Sequence, residues 1–164
     1  MTEPNDTTTG DRPSVRDAID RRPTTTSPDR PVEEVALELL AKGLSGMVVL
    51  DAGGTLVGVV SEYDVLTKRG RTVGEIMSRG VISAGEGAEP AEIAGLMGLH
   101  GIRLVPILRD GRLIGVVSRA DLMRRYATTH WRCRSCGATE RGLAQPARCP
   151  ICDATSFQLE EVDA

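Results

Sequence analysis

The stretches "GVVSEYD" (Gly58–Asp64) and "GVVSRAD" (Gly115–Asp121) are two copies of one pattern, 57 positions apart. Each opens on residues that suit the end of a β-strand and closes on Ser-x-x-Asp, in which the hydroxyl and the acid three residues on can satisfy the free amides of a helix start. Working back from each copy, "GMVVL" and "TLVGVV" flank Asp51-Ala52-Gly53-Gly54, while "RLVPIL" and "RLIGVV" flank Arg109-Asp110-Gly111. Both read as hairpins, with turn residues between two apolar runs. Further back, Val32, Val35, Ala36, Leu39 and Leu40 recur at helical spacing, and Pro90, Ile93, Ala94 and Met97 are their counterparts. Gly43 and Gly101 stand where a left-handed residue would end each helix. Earliest of all, "SVRDAI" (Ser14–Ile19) returns as "TVGEIM" (Thr72–Met77), here at an offset of 58 because Ala52 is an extra residue in the first turn. Helices "EYDVLTKR" and "RADLMRRYA" follow the two Ser-x-x-Asp motifs.

The unit therefore reads helix, short strand, helix, strand, strand, helix, twice. Neither copy is large enough to bury its own sheet, so the two should pack as one pseudo-symmetric core. The expected fold class is α/β, with two β-α-β-β-α units related by a pseudo-two-fold axis and a small C-terminal metal ribbon. The expected divisions are a disordered lead at 1–13, repeats at 14–70 and 71–127, the ribbon at 128–159 and an acidic tail at 160–164.

Across residues 14–127 this pattern resembles a tandem pair of CBS motifs, a Bateman module, with the duplicated Gly-x-x-Ser-x-x-Asp its most specific part. The resemblance implies a regulatory, non-catalytic module binding an adenine nucleotide or an adenosyl compound such as S-adenosylmethionine. It assigns ribose recognition to Asp64 and Asp121, beside Ser61 and Ser118. It places adenine near Thr25, Thr26, Met47 and Val48 in a first site, and near Ile82, Ser83, Val105 and Pro106 in a second. The plainer reading makes both Ser-x-x-Asp motifs helix caps alone. Arg103 and Arg119, against Ser45 and Glu62 in the first repeat, point to a phosphate-bearing ligand at the second site and a neutral or cationic one, or none, at the first. Val48 in place of a proline and the inserted Ala52 make the first cleft the more divergent. The resemblance also implies a homodimer, since such pairs form half of a two-fold disc, and an unidentified regulated protein.

All four cysteines lie in "HWRCRSCGATERGLAQPARCPICD" (residues 130–153), as Cys133-x-x-Cys136 and Cys149-x-x-Cys152. Two such knuckles can present four thiolates to zinc or a single iron. A dithiol redox pair is the alternative, but about thirty residues cannot supply the strand-helix unit that a thioredoxin-like use needs. Gly137 and Asp153 tolerate the turn that aims amides at sulfur, while His130 and Trp131 are expected to pack the ribbon edge and His100 to lie at the surface. Residues 131–157 resemble the rubredoxin-like ribbon of rubrerythrins in Trp131, Gly142, Pro146, the Cys-Pro-x-Cys and Phe157. Iron and electron transfer belong to that family; zinc is preferred here because the chain carries no flavin motif or di-iron carboxylate domain.

Composition restricts the partners. The chain has 164 residues, a net charge of -3 and 2% aromatics, so its core is aliphatic and nucleic acid is an unlikely partner. No basic-plus-apolar leader or membrane-length apolar run is present, which places the protein in the cytoplasm without a membrane partner. With two histidines and no nucleophile motif, no catalytic constellation is found. The leading expectation is a ligand-sensing regulator. An iron electron carrier scaffolded or gated by the repeats, and a nucleic-acid or protein adaptor using Arg132, Arg134, Arg141 and Arg148, are the alternatives.

Overall fold

A computed structural model describes residues 14–162; the lead at 1–13 and the last two residues of the acidic tail lie outside them. The first repeat comprises a 3-10 turn at Val15–Asp17, β1 (Thr25–Thr26), α1 (Val32–Lys42), β2 (Gly46–Leu50), β3 (Leu56–Ser61) and α2 (Glu62–Thr67). The second comprises α3 (Val73–Ile76), β4 (Ala84–Gly85), α4 (Pro90–His100), β5 (Leu104–Arg109), β6 (Arg112–Ser118) and α5 (Arg119–Thr128). The ribbon adds β7 (Thr129–Cys133), β8 (Thr139–Glu140) and β9 (Phe157–Glu161). Three sheets result, ordered β1-β2-β3, β4-β5-β6 and β8-β7-β9.

In each repeat the two longer strands pair antiparallel and the short first strand joins in parallel. Gly43 and Gly101 end α1 and α4 with φ of 61° and 65°, a conformation that costs glycine little. The α1 face is narrower than its spacing suggests. Val35 and Leu39 are buried, but Leu40 is 77% exposed and, with Leu37, forms a second apolar stripe turned away from the core.

The leading segments change places. Val15 packs among Ile93, Met97, Val105, Ile107 and Val117 of the second repeat. Val73, Ile76 and Met77 pack among Val35, Leu39, Met47, Val49 and Val60 of the first. Asp20 pairs both backbone groups with Val116, and Ser78 does the same with Val59. Each aliphatic core is therefore completed by a segment belonging, in sequence, to the other repeat.

The ribbon has its own core of Trp131, Cys133, Cys149 and Phe157. Trp131, expected at the ribbon edge, is instead fully buried, and its indole N–H donates to Gly142 O at 3.2 Å. A fully buried indole needs such a partner for its one polar atom.

Candidate ligand cleft and metal centre

The strand-to-helix corner at Ser61 positions the central carboxylate. Ser61 Oγ accepts from Asp64 N at 3.3 Å, and Asp64 Oδ2 accepts from Ser61 N at 2.8 Å and Ser61 Oγ at 2.6 Å. Ser118 and Asp121 repeat this reciprocal cap at the start of α5. The cap fixes each side chain and consumes one carboxylate oxygen. In Asp64 the other oxygen, Oδ1, pairs with Lys68 Nζ at 2.7 Å and accepts from Ser78 Oγ at 3.4 Å. In Asp121, Oδ1 meets Arg124 Nη1 at 3.2 Å on the open surface. Burial pushes the Asp64 carboxyl up, but hydrogen bonds from Lys68 and from the Ser61 hydroxyl and amide outweigh it, and the group titrates below its ordinary value.

A cleft of about 560 Å³ opens above Asp64, within the range that holds small ligands. It is lined by Ser61, Asp64, Lys68, Ile82, His100 and Arg103, among others. This differs from the grouping that the repeats suggest. Ile82 was expected beside Asp121, yet the exchanged segment at 78–82 brings it to the Asp64 cleft. Arg103 was expected to serve the second site together with Arg119; their backbones are joined, Arg119 N donating to Arg103 O at 3.1 Å, but their side chains diverge. Arg103 lines the Asp64 cleft and pairs with Glu62 at 3.3 Å, whereas Arg119 donates to Ile102 O and borders an apolar groove with Leu122, Met123 and Tyr126.

The remaining candidates are placed as follows. Thr25 and Thr26 form β1 beside Val48 and Val49; Thr26 is buried, and its Oγ1 has no hydrogen-bond partner among the described residues. Met47 and Val105 belong to the two cores, and Val48 is fully buried. Pro106 is buried in β5 opposite Val116, whose own N–H and C=O go to Asp20. Ser83 is half-buried in the link before β4. His100, expected at the surface, is exposed and lines the cleft. Neither Lys68 nor His100 was singled out by the motif. The signal for Lys68 was the Asp64-to-Lys68 spacing of four on one helix face.

At the other end of the molecule the four cysteine sulfurs lie within 4.8 Å of one another. Cys133 to Cys152 and Cys136 to Cys149 measure 3.6 Å. Four sulfurs each about 2.3 Å from a tetrahedral ion stand about 3.8 Å apart, so the group fits a metal. The two knuckles are built alike: Cys133 N donates to Ala138 O and Cys149 N to Ala154 O, both at 2.8 Å. Gly137 and Asp153 make the turns with φ of 76° and 60°. The backbone N–H of Cys136 holds the Cys133 thiol down to about 6. Cys152 receives a backbone N–H near Ala154, but its thiol neighbours and burial push it to about 12. A metal replaces the last protons that this cluster holds.

Around the ribbon, Arg132 pairs with Glu160, Arg148 with Asp153, and Arg141 donates to Ala127 O. These guanidiniums make contacts within the fold while keeping much of their surface exposed, Arg132 47% and Arg148 65%.

The family model for the CBS domain matches residues 15–70 and 73–128. The chain belongs to the CBS-domain family. The model for the rubrerythrin, rubredoxin-like domain matches residues 131–160. Among solved structures, the CBS domain pair of protein MJ0100 in complex with 5'-methylthioadenosine and S-adenosyl-L-methionine is 29% identical with a TM-score of 0.65, covering 70% of this chain and 95% of that one. CBSX2 in complex with AMP is 26% identical with a TM-score of 0.63, covering 69% and 95%. The L-aspartate semialdehyde sulfurtransferase of Methanocaldococcus jannaschii is 29% identical over 116 residues, 68% of this chain. The match takes in only 23% of that enzyme's length. Among the described residues, no helix of this CBS protein is long and apolar enough to cross a membrane.

Proposed function

We propose that this CBS pair is a regulatory sensor that binds an adenine nucleotide or adenosyl compound, and that its ribbon holds zinc in a structural role. The observation that carries the reading is the Asp64 cleft. It sets a carboxylate fixed by its own helix cap against a cavity of about 560 Å³ contributed by both repeats. Solved CBS pairs with methylthioadenosine, S-adenosylmethionine and AMP support the ligand class. Asp64 and Asp121 would accept from ribose hydroxyls, with Ile82 beside the base in the Asp64 cleft. The chain acts through binding rather than catalysis, in the cytoplasm, on a protein partner whose identity binding studies must supply.

The test is calorimetric titration of the metal-loaded protein with AMP, adenosine and S-adenosylmethionine. At least one is expected to bind, and Asp64→Ala with Asp121→Ala together to abolish it. Ligand binding that survives both substitutions would overturn the assignment. Elemental analysis of the purified protein decides the metal: zinc supports the structural role, and iron would favour the electron carrier.

A homodimer is part of the same proposal. Leu37 and Leu40 on α1, Tyr63 and Leu66 on α2, Leu99 on α4, and Met123 and Tyr126 on α5 are exposed apolar side chains. A second copy would cover these helices, as the disc arrangement of CBS pairs implies. Leu66→Asp is expected to shift sedimentation from dimer to monomer.

A further inference from the structure

The Asp64 carboxylate already has a cationic occupant. With Oδ2 committed to the α2 cap, Oδ1 is the oxygen left for a ribose hydroxyl, and Lys68 Nζ stands 2.7 Å from it. The same ammonium donates to Ile76 O at 2.8 Å and to Ser78 Oγ at 3.3 Å. Lys68 keeps 40% of its side-chain surface exposed, while Asp64 keeps 7%, so the lysine is the partner free to move. Across the cleft, the exposed Arg103 guanidinium is paired in the same loose way with Glu62.

A neutral nucleoside that takes Oδ1 would strip Lys68 of its carboxylate and offer nothing in return. S-adenosylmethionine would also bring a sulfonium and an ammonium beside two cations, so that its single carboxylate arrives with a net positive charge. A phosphate-bearing ligand differs, because its anion gives Lys68 and Arg103 a new partner as the ribose takes Oδ1. One ion pair is then exchanged for another rather than lost.

We infer that Lys68 and Arg103 are specificity-determining residues, which make the Asp64 cleft select a phosphate-bearing adenine nucleotide over adenosine and S-adenosylmethionine. The inference rests on the reading of this cleft as an adenine-ligand site. The Asp121 site is built differently: its Oδ1 meets the exposed Arg124 at 3.2 Å, the counterpart of Arg103 is Ser45, and the counterpart of Lys68 is Arg125, which is buried and directed to Asp17 and Glu161. The inference is therefore made for the Asp64 cleft alone.

The experiment is calorimetric titration of the full-length, metal-loaded protein carrying Asp121→Asn, so that the Asp64 cleft is read alone. AMP is expected to bind about tenfold or more tightly than adenosine, a preference that shrinks in high salt. Lys68→Met is expected to strengthen adenosine and weaken AMP, bringing the two within about threefold, while Lys68→Arg retains the preference. Arg103→Met should weaken AMP and leave adenosine unchanged. Thermal melts of each variant establish that it is folded. Equal affinities for AMP and adenosine, or a Lys68→Met change of the same factor for both, would overturn the inference while leaving the adenine-site reading intact. Binding of no adenine compound at all would overturn both.

Discussion

Asp64 shows how much one side chain can be asked to do. It closes a helix, anchors a lysine from the next turn and faces a cleft, all while nearly buried. Its pKa in the folded chain lies below the ordinary 3.8 because donated hydrogen bonds outweigh burial. The stabilisation is thus complete above the unfolded value and is lost as pH falls through the folded one. Urea denaturation at pH 5 and pH 3 should show Asp64→Asn less sensitive to acid than the unmodified chain, though less stable at pH 5. The cysteines also favour higher pH, in a higher range, since metal binding must expel protons, including that of Cys152. Zinc affinity, measured by chelator competition, is expected to fall steadily between pH 8 and pH 6. Both carboxylates and all four thiols could be read from spacing alone, because caps and knuckles are local geometry. Lys68 was legible as a partner of Asp64 from the spacing of four, but Arg103 could not be assigned to Glu62 that way, because its placement depends on how the repeats meet.

The motif glycines belong to the scale of the element. A Cβ on Gly115 would lie 2.3 Å from Ile19 Cγ2 and 2.4 Å from Asp20 O, where the exchanged leader crosses β6. On Gly58 it would lie 2.7 Å from Met77 Sδ and 3.1 Å from Ser78 O, where the other leader crosses β3. Backbone cannot withdraw as a methionine tip can. Gly115→Ala is therefore expected to cost about 3 kcal/mol and Gly58→Ala about 1 kcal/mol, read from urea midpoints. The two hairpins, the ends of α1 and α4 and the starts of α2 and α5 were legible in the sequence through turn residues, caps and periodicity, whereas the ribbon strands β7, β8 and β9 were not. What periodicity reports is that a face is apolar, not what covers it. Leu40 shared the spacing of Val35 and Leu39 and yet faces outward, and the offset of 58 gave no sign that Val15 belongs with Ile93.

At the scale of the whole molecule, ribbon and repeats are joined without a linker: α5 ends at Thr128 and β7 begins at Thr129. Arg125, buried on α5, pairs with Glu161 of β9, and Leu143 from the loop between the knuckles packs on the second core. Stripping the metal should therefore loosen the second repeat as well as the ribbon. Calorimetry with a chelator is expected to show the melting temperature fall by about 10 °C. Ligand binding at Asp121 should weaken more than at Asp64. The crossing of the leaders also bears on how the chain comes off the ribosome. The first core stays open until residues 73–77 have been made, while Val15, synthesised early, waits for Ile93 and Val105 before it has a place to go. A chain stalled between the repeats, short of Val73, therefore presents an unfilled first core to chaperones and proteases, and a few residues more let that core close while Val15 still waits.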